Sequence, residues 1–160
     1  KKEASVAGML FSGVVFAVMY VLKLQNMWLF LWLGAIGYLG LGFFNTVIWA
    51  NITDVIDDQE VQTGHRDDGT VYAVYSFARK VGQALAGGIG GWALQVIGYE
   101  PAAAAQTDAV RRGLYTTATL VPAIGFFVVA AILWFVYPLD KRRVEKNVEE
   151  LKKKHLPAEH

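Results

Sequence analysis

Apolar residues run almost without interruption through three long stretches, Ala4 to Leu22, Met27 to Ala50 and Leu114 to Tyr137. Each is near or above the ~20 residues that a helix needs to cross ~30 Å of hydrocarbon. A fourth stretch, Val71 to Gly98, has comparable length but carries Arg79 and Lys80. The runs are too long and too continuously apolar for the alternating strands of a membrane barrel. The pattern therefore predicts an all-α membrane protein with four transmembrane helices, over about residues 4–22, 27–50, 71–98 and 114–137. Residues 1–137 form one transmembrane region on this reading, with a loop over 51–70 joining the second and third spans. Pro122 is expected to kink the fourth span, a cost that neighbouring helices absorb in lipid. Residues 138–160 read as a separate amphipathic tail, in which Asp140 caps a helix after Pro138 and Val144, Val148 and Leu151 share a stripe.

Composition agrees: of 160 residues, 54% are hydrophobic and 18% charged, with a mean hydropathy of +0.33. With no cysteine there are neither disulfides nor thiolate metal sites. The opening Lys1-Lys2-Glu3 before an apolar run resembles a signal peptide, but the run is long and reads as a first retained span. The net charge of +1 conceals an asymmetry and gives no basis for a nucleic-acid partner. Lys1, Lys2, Arg66, Lys141, Arg142, Arg143, Lys146 and Lys152 to Lys154 fall on one side of four spans, and only Lys23, Arg111 and Arg112 on the other. The positive-inside rule then places both termini and the 51–70 loop in the cytoplasm, with membrane lipid around the spans and the tail at the inner surface.

The third span carries the chemistry. Lys80 lies roughly 15 Å beyond Gly69 along a helix, too deep for a loop residue. A charge at that depth costs at least ~2.5 kcal/mol and calls for a polar cavity and a carboxylate or substrate partner. Ser76, Lys80, Gln83 and Gly87 share one face at steps of three and four, which suits a lined pathway. The plainer reading is that Lys80 snorkels to the interface, and it applies more strongly to Arg79, about 100° around the helix. Gly87 with Gly91, and Ala86 with Gly90, offer small-residue steps for close helix packing. In the second span Tyr38, Gly42, Asn45 and Trp49 fall on one face, where ring and amide groups would suit a sugar. Trp49, at the cytoplasmic end of the span, suits an interfacial anchor better, and Asn45 lies deeper.

The stretch from Asp54 to Gly69 is dense in carboxylates, yet it lacks the ordered oxygen ligands of a calcium loop, and no metal site is assigned. It is either a solvated acidic loop or an ion-paired gate, in which Arg66 engages Asp54 or Asp57 and pins the ends of the second and third spans together.

The same stretch resembles a motif of the glycoside-pentoside-hexuronide:cation symporters of the major facilitator superfamily, D-x-x-D-x-x-E-x-x-T-G-x-R-x-[ED]-G followed by F-x-x-K-[LV]-G-x-A. Asp54, Asp57, Glu60, Thr63, Gly64, Arg66, Asp68 and Gly69 stand in register, then Phe77, Lys80, Val81, Gly82 and Ala84. The resemblance implies helices nine to twelve of a major facilitator fold in a bacterial cytoplasmic (inner) membrane. It further implies cation-coupled symport of a sugar or glycoside by alternating access, with Asp54, Asp57 and Arg66 in a cytoplasmic gate. Lys80, Ser76, Gln83 and Asn45 would then belong to the substrate and cation site. No bound cofactor is expected beyond a coupling Na+ or H+. The family's cation-binding acids lie in its N-terminal half, so the missing N-terminal helices are expected partners. Asp58 stands where an aromatic residue is commoner, Asp68 where Glu is commoner, and Asn45 where some members carry an aromatic sugar contact.

The alternative is a small membrane-embedded assembly protein without transport activity, built on the small-residue helix and the tail. An enzyme is not expected: His65, His155 and His160 are scattered, and no Ser/His/Asp set, P-loop or dinucleotide-binding glycine pattern is present.

Overall fold

A computed structural model describes residues 1–155 as five helices: α1 (Lys2–Leu22), α2 (Met27–Thr63), α3 (Asp68–Val96), α4 (Asp108–Phe135) and α5 (Lys141–His155). There is no strand among the described residues. The last five residues of the expected tail, 156–160, which include His160, lie outside them.

Local chemistry sets the helix ends. The Asn26 side chain accepts from the Trp28 and Leu29 amides at 2.9 and 3.2 Å and starts α2. Asp67 and Thr107 accept from Thr70 and Val110 and start α3 and α4. The Asp140 carboxylate accepts from the Arg143 amide at 2.8 Å, so it caps α5 as its position after Pro138 suggests.

The 51–70 loop needs correction, because the chain remains helical through Thr63 and turns only at Gly64, whose φ of 79° ends the helix. Nothing between Asn51 and Thr63 breaks a helix, and the acidic side chains there find cationic partners instead of solvent. At 37 residues α2 is about 55 Å long, well beyond the hydrocarbon thickness. Helices α1, α2 and α4 are long and apolar enough to cross a membrane. Helix α3 has the length, at 29 residues, and its weaker apolar character comes from Arg79, Lys80, Gln83 and its glycines.

The core lies between α1 and α4, where Val6, Met9, Phe16 and Met19 bury against Ala123, Phe126 and Ala130. Met19 meets Tyr115, Gly13 meets Phe127 and Lys2 meets Tyr137, so the two helices run antiparallel over their full lengths. Helix α2 returns along α1 through a close crossing at Gly8, Gly37 and Gly40. A Cβ added to Gly40 would stand 2.2 Å from the Gly8 carbonyl oxygen and 2.3 Å from Ser12 Oγ, so only glycine fits. The small residues expected to mediate packing in α3 do not do so within this chain: Gly87, Gly88, Gly90 and Gly91 have open space where a Cβ would be. Indeed α3 buries no residue, and it meets α2 through Trp49, whose ring lies 6.2 Å from Tyr72 and 5.8 Å from Tyr75.

Candidate functional site

The lower half of α2 presents four carboxylates, Asp54, Asp57, Asp58 and Glu60, and all four find cationic partners, with Arg66 shared by Asp57 and Glu60. Asp54, buried, accepts from Lys1 Nζ at 2.7 Å, which ties α2 to the start of α1. Asn51, one turn earlier and also buried, donates from Nδ2 to Ser5 Oγ at 3.1 Å, a second polar contact between α2 and the start of α1. Asp57 and Glu60 receive Arg66 Nη1 at 2.9 and 3.2 Å, while Arg66 Nε lies 3.1 Å from Asp68 Oδ1. The guanidinium thus bridges the end of α2 to the start of α3. Its proton is held above the ordinary arginine range, first by the bond to Asp57 and then by that to Glu60. Of the two carboxylates expected for Arg66, Asp57 is the one in reach, and Asp54 is taken by Lys1.

The fourth carboxylate, Asp58, joins α2 to α5. Arg143 donates Nε and Nη2 to its two oxygens at 2.7 and 2.8 Å, and Asn147 Nδ2 adds a bond of 2.8 Å. Farther along, Lys154 Nζ lies 3.4 Å from Glu60 Oε1 and donates to the Gly64 carbonyl at 2.9 Å. Partners on both helices rise together in number, so α5 lies beside the end of α2 in the same sense. Burial pushes the Asp58 carboxyl up, but hydrogen bonds from Arg143, Asn147 and Gln62 outweigh it and hold the group below its ordinary value.

These tail residues were not among the sequence-based candidates, although the signal was present. Arg143, Asn147, Leu151 and Lys154 recur at steps of four, four and three and form one stripe. Sorting the tail by its apolar residues alone put Val144 and Val148 in front instead.

The second candidate group is open. Ser76, Lys80 and Gln83 are exposed on α3, and Asn45 is exposed on α2. No hydrogen bond or ion pair joins any of the four to another among the described residues, and neither Arg79 nor Lys80 has a carboxylate in reach there. The acidic partner expected for Lys80 is therefore not supplied by the described residues of this chain. No three metal-binding side chains cluster among the described residues.

A family model described as MFS/sugar transport protein matches residues 1–141, which covers α1 to α4 and stops where α5 begins. The uncharacterized symporter YjmB of Bacillus subtilis is 31% identical over 96% of this chain and 33% of its own length. The glucuronide carrier protein homolog of Escherichia coli is 38% identical over 73% of this chain and 25% of its own length. The chain thus spans about a third of the length of the curated relatives it matches. No solved structure matches it.

Proposed function

The chain belongs to the MFS/sugar transport protein family of integral membrane proteins, and on that premise we propose that it is the C-terminal part of a secondary active transporter. The intact protein moves a sugar or glycoside together with Na+ or H+ by alternating access. Relatives named as a symporter and as a glucuronide carrier homolog support that substrate class. Helices preceding this segment supply the rest of the pathway, including the acidic partner of Lys80.

The observation that carries this reading is the position of Arg66 between Asp57 and Glu60 on α2 and Asp68 on α3. A gate must hold two spans together in one state and release them in another, and multiply bonded charges at helix ends do this without a change in the core. Asp54, Asp57 and Arg66 act as the inner gate, with both termini cytoplasmic in a bacterial cytoplasmic membrane. Lys80, with Ser76, Gln83 and Asn45, faces the solute pathway, where a lysine in a polar cavity answers either the solute or the coupling-cation site.

The test is gradient-driven uptake of labelled glucuronides and hexoses by the full-length protein in vesicles, with Na+ and proton gradients imposed separately. Lys80→Ala is expected to abolish accumulation while leaving the amount of protein in the membrane unchanged. Unchanged uptake would remove Lys80 from the site, and the absence of uptake by the parent protein under either gradient would remove the symport reading.

A further inference from the structure

Charge patterning leaves Lys23, Arg111 and Arg112 as the basic residues of the end opposite α5, and the fold brings all three to one place. They line an open cleft of about 480 Å³ between the last turn of α1 and the first of α4, with Tyr20, Tyr115 and Asp108. Asp108 is the one carboxylate in its wall, and it lies 3.6 Å from Arg111. Lys23 and Arg112 have no carboxylate within ion-pair distance among the described residues. The cleft therefore holds two cations, Lys23 and Arg112, that no carboxylate among the described residues pairs with, beside the Arg111–Asp108 pair.

The geometry there is built. Lys23 ends α1 in the left-handed region, at φ 46° and ψ 55°, the position that glycine ordinarily takes at a helix end. A lysine held there is strained, and such strain persists only where the surroundings impose it. Tyr115 imposes it: its hydroxyl donates to the Met19 carbonyl and accepts from the Leu24 amide at 3.0 Å, which fixes the turn on both sides of Lys23. One α4 side chain thus sets the direction of the α1 turn, one helical turn from Arg111 and Arg112.

We propose that this cleft binds an oxyanion, the phosphate of an anionic phospholipid headgroup. It sits where the apolar run of α1 ends at Leu22 and that of α4 begins at Leu114, which is the level of lipid phosphates. Along the same two helices an entirely apolar groove of about 280 Å³ passes over Val14, Val18, Val21 and Phe127, a surface suited to an acyl chain. A free anion in solution would satisfy the same three cations without using that groove.

The full-length protein in phosphatidylcholine discs separates the two sources. Its thermal midpoint is followed while phosphatidylglycerol or, separately, inorganic sulfate is added, for the parent, Lys23→Gly and Arg112→Gln. Lys23→Gly removes a charge at a backbone position that glycine prefers, so its fold is preserved. Stabilisation of the parent by phosphatidylglycerol, with each variant binding about fivefold more weakly, supports the headgroup site. Equal stabilisation by sulfate with the same dependence on the variants supports the oxyanion site and overturns its assignment to lipid. No shift in the parent, or one identical shift in all three proteins, overturns the proposal.

Discussion

Arg143 grips Asp58 with two parallel hydrogen bonds, Nε to Oδ1 at 2.7 Å and Nη2 to Oδ2 at 2.8 Å, across 85 residues of chain. The geometry is the two-pronged one that a guanidinium makes with a carboxylate and that an ammonium cannot copy. Arg143 lies beyond the segment matched by the family model, which ends at residue 141. The tail helix is therefore fastened by a pair in which Asp58 lies inside the matched segment and Arg143 outside it.

Replacing Arg143 should free the tail while leaving the transmembrane bundle folded. Arg143→Gln is expected to accelerate cleavage at Glu145, Glu149 or Glu150 by a glutamate-directed protease several-fold, and Arg143→Lys to accelerate it less. Asp58→Asn should act like Arg143→Gln, and the two together should add little to either alone, because both remove the same pair. Additive effects would show that α5 is held elsewhere.

The pH dependence follows from the sign of the Asp58 shift. Its carboxyl is held below the ordinary value of 3.8, so the pairing contributes its full stability above that value and loses it as pH falls through the lower folded value. Protease resistance of the tail should be flat between about pH 5 and pH 8 and fall only below about pH 4, given the usual carboxylate range. Release between pH 6 and 8 would point to a titrating group other than Asp58.

How much of this was legible in the sequence depends on the range of the interaction. Apolar runs reveal helices because a spanning segment must satisfy its backbone internally, and the start of α2 at Met27 follows from that alone, whereas α4 begins at Asp108, six residues before its apolar run. The end of α2 did not, because carboxylates at Asp54, Asp57 and Asp58 read as a solvated loop until their partners are known, and those partners include Lys1 and Arg143. The glycines misled for a related reason. Gly87 to Gly91 form the more conspicuous run, yet it is Gly8 and Gly40, 32 residues apart, that touch across α1 and α2. Local spacing marks where close packing is possible, and only the fold decides which faces meet.

That crossing yields a graded prediction. A Cβ at position 40 would collide with backbone at 2.2 Å, which cannot move without separating the helices, whereas one at position 8 would stand 3.2 Å from the Gly40 oxygen and 3.3 Å from the Phe43 ring. Gly40→Ala is expected to cost about 1–3 kcal/mol of stability, as overpacking of a tight interface does, and Gly8→Ala clearly less. Thermal unfolding of the full-length protein in detergent checks the order, and equal losses would contradict the crossing.

Besides the Arg66 bridge, α2 meets α3 through Trp49 between Tyr72 and Tyr75, with rings 5.8 Å apart and edge-on in the Tyr75 pair. A tryptophan near the end of a span also suits an interfacial anchor, and the two roles differ in what they couple to. An anchor loses its contribution whatever stands on α3, so Trp49→Leu would cost the same with or without Tyr75. A ring contact is shared, so the loss should shrink by about 0.5–1.5 kcal/mol once Tyr75 is already leucine. A double-mutant cycle on unfolding in detergent measures that difference. Because α3 buries nothing else in this chain, a coupling in that range would make the aromatic contact the hinge between the charged end of α2 and the helix that carries Lys80.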